Sequence, residues 1–279
     1  MENKKILVIG AEGMLGQTVF KYLKTTYPNT LGTSRKKSEK LFYLSSSTLQ
    51  RDFKKIIKET KELDFAINCI GILPTEINIK NMSSVNSLFP KNLSYLSQKY
   101  GIKIIHISTD AVFSSNSGIV YENTRPDPDT TYGKSKLKGE VNSPNFINIR
   151  TSIIGLDLIN HKGLLEWAKS AKKINGYSNH TWTGCTTLQF AKVCEYLIKN
   201  DNFNKVRSKS SIIHYSPLGP ISKYDLIYLF LKQAKITKEV IRAKSQATID
   251  RQLKSIYNIL PGEKDINIAL SELINFFRE

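Results

Sequence analysis

Cysteine, acidic side chains and long apolar runs are all scarce in this chain of 279 residues. The three cysteines, Cys69, Cys185 and Cys194, are widely spaced and form no Cys-x-x-Cys pair. That excludes a disulfide framework and a cysteine-rich zinc site, and no metal is expected. A reducing cytoplasm is the expected compartment, and Cys69, inside an apolar run, reads as a small core residue. No apolar stretch reaches the ~20 residues that span a bilayer, so no membrane association is expected. The first apolar run ends at Gly10, too soon for a signal-peptide core, and reads as a first strand. Acidic residues number 24 against 41 Lys and Arg, leaving a formal charge of +17. The lysines are scattered among Asn, Ile and Ser, without a dense basic block or aromatic-basic interleaving. Nucleic-acid binding is therefore not expected; a basic surface of this kind draws in dianionic small molecules.

What is present is an alternation of short β-branched runs and amphipathic stretches through the first half, the mark of an α/β fold. Strands are expected at Lys5–Ile9, Thr30–Thr33, Leu41–Leu44, Phe65–Ile70, Ile102–Ser108 and Phe146–Arg150. Helices are expected at Met14–Tyr27, Thr48–Glu62, Ser83–Tyr100 and Tyr132–Val141. Mostly apolar strands in such an order predict a doubly wound parallel sheet of Rossmann type, covered on both faces. Residues 1–155 would form this domain. Past Arg150 the pattern loosens, with helices at Gly163–Lys172, Thr187–Lys199, Lys223–Gln233 and Leu270–Phe277. Residues 156–279 are expected to form a smaller α/β lobe, partly intermixed with the last strands of the sheet.

Gly10-Ala11-Glu12-Gly13-Met14-Leu15-Gly16 follows the first strand and opens the first helix. Glycines at this spacing allow a tight turn and bring the backbone amides around Gly13, Met14, Leu15 and Gly16 close to a pyrophosphate. The end of the second strand carries Ser34 and Arg35 where a site for an unphosphorylated ribose usually has Asp or Glu. A hydroxyl beside cations suits a 2′-phosphate, so NADPH is the expected cofactor, with NADH as the alternative. Tyr132 and Lys136 stand four residues apart, so a helix puts them on one face. A neighbouring ammonium is expected to lower the phenol's pKa toward the working range of a general acid. Ser108-Thr109-Asp110 ends the most apolar strand, where side chains face the ligand crevice; Thr109 could hold a substrate oxygen, with Ser108 beside it. His106 reads as a core residue.

These motifs together name a resemblance. The glycine spacing is similar to that of the extended short-chain dehydrogenase/reductases. Ser108-Thr109-Asp110-Ala111-Val112-Phe113, the run from Tyr132 to Glu140, and Ile149-Arg150-Thr151-Ser152 resemble dTDP-4-dehydrorhamnose reductases over residues 4 to 155. The resemblance implies Tyr132 as proton donor, Lys136 as its partner and ribose contact, and Thr109 as the third hydroxyl. It also implies that Asn68, Cys69 and Gly71 lie along the cofactor. Asn86, Asn179, Trp182 and Arg251 are its candidate substrate contacts, beside Ser108 and Thr109. The implied reaction is reduction of a nucleotide-linked 4-keto-6-deoxy sugar in polysaccharide precursor synthesis, by a possible homodimer. Ala111 replaces an aromatic residue, Ile153 stands where Trp is frequent, and Asn179–Gly184 departs from the Asp-Gln-x-Gly pattern near the sugar; these departures bear on which sugar and nucleotide are used. A nucleotide-sugar epimerase and a non-catalytic, cofactor-binding regulatory subunit are the alternatives. A 4,6-dehydratase is disfavoured, because Ala111 stands where the second acid would be.

Overall fold

The computed structural model describes residues 4–73 and 81–278. The first half runs β1 (Ile6–Ile9), α1 (Met14–Thr26), β2 (Leu31–Ser34), β3 (Phe42–Tyr43), α2 (Leu49–Thr60), β4 (Phe65–Asn68), α3 (Phe89–Tyr100), β5 (Lys103–Ile107), β6 (Gly118–Val120), α4 (Thr131–Leu137) and β7 (Phe146–Arg150). The second half runs β8 (Ile153–Ile154), α5 (Leu164–Ser170), β9 (Ile174–Tyr177), β10 (Thr181–Thr186), α6 (Thr187–Ile198), α7 (Asn202–Arg207), β11 (Ile212–His214), β12 (Leu218–Ser222), α8 (Lys223–Gln233), β13 (Val240–Ala243), β14 (Arg251–Leu253) and α9 (Ile266–Arg278). No helix among the described residues is long and apolar enough to cross a membrane.

Seven strands form one sheet in the order β11, β7, β5, β4, β1, β2, β3. Every pairing in it is parallel. Because strand side chains alternate, Ile6 and Val8 of β1 enter one core while Leu7 and Ile9 enter the other. The same division holds in β5, where Ile105 and Ile107 face one layer and Ile104 the opposite one. Both faces are thus sealed, which is why these strands read as apolar throughout. The order reverses between β1 and β4, and ligands of such sheets bind at that reversal, outside the strands' carboxyl ends.

Several boundaries differ from expectation for local reasons. The helix expected over Ser83–Tyr100 begins as a π turn, Ser84–Leu88, before α3, whose Pro90 sits in the first turn where a missing N–H is harmless. The helix carrying Tyr132 ends at Leu137, short of Val141, and the last helix starts earlier, at Ile266. β11, α6 and α7 belong with the sheet although they lie beyond residue 155. β11 extends it beside β7, and Phe190, Val193 and Phe203 pack into the core that holds Ile6 and Val8. The capping box of Thr186 and Gln189 starts α6 where it can pack along α1. The remaining lobe has its own core, with Leu165, Trp182, Phe230 and Leu270, and β14 pairs with β6 to bring Arg251 back to the sheet's carboxyl edge.

At the glycine turn, Gly10 adopts φ +82°, and a Cβ on Gly16 would stand 2.0 Å from the Gly10 carbonyl oxygen. A Cβ on Gly13 would meet that oxygen at an ordinary 3.5 Å. Gly16→Ala is therefore expected to destabilise the fold by about 1–3 kcal/mol, as overpacking does, and Gly13→Ala by much less. Thermal unfolding of the two variants checks the difference.

Candidate active site

The helix that carries the Tyr-Lys pair is seated by backbone contact. Thr130 caps α4 by accepting from the Gly133 amide at 3.0 Å. A Cβ on Gly133 would lie 1.9 Å from the Ala111 carbonyl oxygen, and one on Gly139 would lie 2.0 Å from that of Asn86. Only glycine allows the segment to sit this deeply against the turn after β5 and the start of α3. Lys136 is carried to full burial, 1% exposed, with its Nζ donating to the Ile107 carbonyl at 2.7 Å. Burial lowers its pKa to about 8, against the opposing pull of Glu140.

Tyr132 is half-buried at the mouth of the site. Burial pushes its phenol up; the Thr109 hydroxyl holds it down, the Asp110 carboxylate raises it and Arg251 lowers it, leaving a pKa of about 12. The expected lowering of this pKa by Lys136 is not what the structure shows. The ammonium is turned to Ile107, and the charges acting on the phenol belong to Asp110 and Arg251. The Asp110 carboxylate accepts from Thr109 Oγ1 at 3.1 Å and from Arg251 Nε at 2.9 Å. Arg251 also donates to the Phe113 carbonyl at 3.1 Å. Lys223, the first residue of α8, feels both Asp110 and Arg251, while burial lowers its pKa. Arg251, from the second half of the chain, thus acts on the phenol, and Lys223 stands near the Asp110–Arg251 pair.

Other expected substrate contacts are committed elsewhere. The Ser108 hydroxyl donates to Glu140 at 2.6 Å, and Glu140 forms a buried pair with Arg150 at 2.7 Å. Asn86 is fully buried and clamps Ile72 by two hydrogen bonds, while its amide also donates to Ser135. Asn179 bonds Ser245, and Trp182 donates to Ser152 from within the lobe's core. Asn68 donates to His106 Nδ1 at 2.9 Å, and burial, helped by Lys136, drives the His106 pKa well down. His106 is a neutral core residue. Glu140 and Lys223 are the residues that motif reading left without a role. Glu140 closes the Tyr-Lys motif, which was a usable signal; for Lys223 the signal was only the faint resemblance of Ile221-Ser222-Lys223, which carried no role.

A cleft at the sheet reversal is lined by Gly10, Gly13, Ser34, Arg35, Cys69 and Gly71, with Glu12 and Asn160 also on its wall. Met14 and Leu15 do not line it: Leu15 is 4% exposed in the core, and only the first-turn amides of α1 are available there. Gly13 caps α1 without any side-chain bond, so those amides have no intrahelical acceptor, an arrangement suited to a pyrophosphate. A Cβ on Gly71 would come 3.9 Å from Lys136 Nζ, so Lys136 lies directly behind the cleft wall at that point. The residues fit a nicotinamide dinucleotide. Burial raises the Cys69 pKa well above the ordinary thiol value, which leaves it unreactive. Among the described residues no cluster of His, Cys, Asp or Glu could hold a metal ion.

A seven-stranded parallel sheet, a glycine turn at its reversal and a Tyr-x-x-x-Lys helix across its edge define an extended short-chain dehydrogenase/reductase fold. The family profile described as the RmlD substrate binding domain matches residues 4–258, and the chain belongs to that family. It is 24% identical to a dTDP-4-dehydrorhamnose reductase of Aggregatibacter actinomycetemcomitans over 248 residues, 84% of this chain and 80% of that one. It is 28% identical over 138 residues to methionine adenosyltransferase 2 subunit beta of Danio rerio, 49% of this chain. That match spans 42% of the relative's length, under half of it. Among solved structures, a dTDP-4-dehydrorhamnose reductase from Bacillus anthracis in complex with NADP superposes with a TM-score of 0.77 at 19% identity, covering 99% of each chain.

Lys136 generates a pH dependence. Its pKa falls from an ordinary 10.5 to about 8 in the folded chain. Between those values the unfolded chain holds more protons, so stability rises with pH through that window and the full penalty applies below it. Lys136→Met should stabilise the fold at roughly pH 7 and by less at roughly pH 9.5. Denaturant unfolding at the two pH values checks this.

Proposed function

We propose that this protein reduces the 4-keto group of a nucleotide-linked 4-keto-6-deoxy sugar, using NADPH and accepting NADH, in the synthesis of a polysaccharide precursor. The observation that carries the reading is the seating of the Tyr132–Lys136 helix, with Thr109 bonded to the phenol and Lys136 Nζ close behind Gly71, which lines the glycine-turn cleft. The dinucleotide, when bound between the α1 amides, Ser34–Arg35 and Lys136, supplies the hydride. Tyr132, with a pKa of about 12, is protonated at physiological pH, the form that a proton donor to the nascent alkoxide must have. Thr109 and Arg251 already favour the phenolate, so they stabilise the negative charge left on Tyr132 as its proton departs. Lys136 is charged below about pH 8 and keeps a positive charge behind the reacting centre. Arg251 and Lys223 suit the diphosphate of a nucleotide sugar. Three free cysteines fit a reducing cytoplasm.

A second reading follows from the likeness to methionine adenosyltransferase 2 subunit beta: a regulatory subunit that binds the dinucleotide without turning it over. The two separate on one assay. Purified protein is incubated with NADPH and dTDP- or UDP-linked 4-keto-6-deoxy sugars, and nicotinamide oxidation is followed by absorbance. Turnover is expected for at least one sugar; binding of NADPH with no turnover on any would favour the regulatory reading. Tyr132→Phe should lower kcat by about 10²- to 10⁴-fold while dinucleotide binding persists. Lys136→Ala should impair both turnover and binding, and Thr109→Val should cost least, about tenfold, because it removes one hydrogen bond from an uncharged donor while Arg251 still favours the phenolate. Near-normal turnover by Tyr132→Phe would remove this tyrosine as the donor.

A second expectation concerns reaction class. With Ala111 in place of a second acid, incubation with dTDP-glucose or UDP-GlcNAc should give no loss of water by mass spectrometry. A dehydrated 4-keto-6-deoxy product would overturn the reductase assignment.

A further inference from the structure

The end of β2 does not offer the free hydroxyl that a 2′-phosphate site would use. Ser34 is 3% exposed, and its hydroxyl donates to the Glu12 carboxylate in a short hydrogen bond. The same oxygen accepts from the Lys36 amide at 2.9 Å. A hydroxyl has one proton, so while it serves Glu12 it has none for a phosphate. Among the described residues no cation or second donor is bonded to the Glu12 carboxylate, which keeps most of its accepting capacity.

The position of Glu12 is rigid. Asn160 donates to its carbonyl at 2.8 Å. The glycine turn is tied to β2 on either side, with the Gly10 amide bonded to Thr33 Oγ1 at 3.1 Å and the Ala11 amide to the Thr33 carbonyl at 3.0 Å. Glu12, Ser34, Arg35 and Lys36 line one wall of the cleft. Arg35 and Lys36 are exposed, so water and salt screen their pull on an anion. Glu12 is half-buried and screened less.

We infer that Glu12 is a specificity-determining residue, which receives the hydroxyls of the adenosine ribose and opposes a 2′-phosphate, so that the protein binds the unphosphorylated and phosphorylated dinucleotides with comparable affinity. The inference rests on the reading of this cleft as the dinucleotide site. The acid usually found at the end of β2 is supplied here from the glycine turn, across the Ser34 hydrogen bond. A carboxylate accepts from a ribose diol and repels a phosphate dianion, while Arg35 and Lys36 do the reverse.

The test is calorimetric titration of the full-length protein with ADP-ribose and with its 2′-phosphate, which needs no turnover. The unaltered protein should bind the two with dissociation constants within about tenfold of each other. Glu12→Gln should shift their ratio toward the phosphorylated ligand by about tenfold or more, the size expected of a hydrogen bond to a charged group. Ser34→Ala, which frees Glu12 from its anchor, should shift the ratio the same way by less. The readout is a ratio within each variant, so partial unfolding lowers both affinities and leaves it intact. A preference above about a hundredfold for the 2′-phosphate in the unaltered protein, or a ratio unmoved by Glu12→Gln, would overturn the role of Glu12. Failure of both ligands to bind the unaltered protein would overturn the dinucleotide reading itself, and this inference with it.

Discussion

The buried pair of Glu140 and Arg150 holds the Tyr132–Lys136 segment in register with the sheet. Arg150 ends β7, and Glu140 lies just beyond α4; their side chains are 2% and 5% exposed. Arg150 donates through Nε at 2.8 Å and through a terminal nitrogen at 2.7 Å, so both carboxylate oxygens are engaged. Ser108 donates to the same carboxylate from beyond the end of β5, and His214 of β11 lies against the guanidinium. One acid therefore ties the segment after the helix of Tyr132 and Lys136 to β5 and β7, and through Arg150 to β11. Burying such ions carries a large desolvation cost, and losing one partner of a buried pair typically costs about 3–5 kcal/mol. That makes the pair a poor source of net stability and a strong determinant of geometry.

Once α4 is placed, electrostatics divides the labour between its two ionisable groups. Lys136 is sealed between the Ile107 carbonyl and Gly71, so burial works against its charge. Tyr132 faces outward, where Asp110 and Arg251 act on it in opposite directions. Because those two are bonded to each other, their effects on the phenol largely cancel and burial decides the outcome. With a pKa of about 12 the phenol stays protonated at neutral pH.

The cofactor side shows the same economy of means. Gly16 lets α1 approach the end of β1, so the helix starts where Gly10 and Gly13 line the cleft. The intervening Glu12, a spacer in the pattern, is brought by the turn onto the end of β2. A position that carries no information in the glycine motif becomes part of the cleft wall once strand and helix are packed.

What was legible from sequence was local. Apolar runs set β1, β4, β5 and β7, the glycines set the strand-to-helix turn, and four-residue spacing set the shared face of Tyr132 and Lys136. Each depends on neighbours within a turn of helix or a few residues of strand, where periodicity and steric rules operate. The partners of charged groups lay outside that range. Asp110 meets Arg251 across 141 residues, Ser108 meets Glu140 across 32, and Trp182 and Asn179 turn inward to bonds that no local pattern announces. Secondary structure and the catalytic motif follow from short-range sterics and patterning. Which hydroxyls remain free, and which charges act on Tyr132, were decided only by tertiary packing, because electrostatic partners are chosen by distance in space.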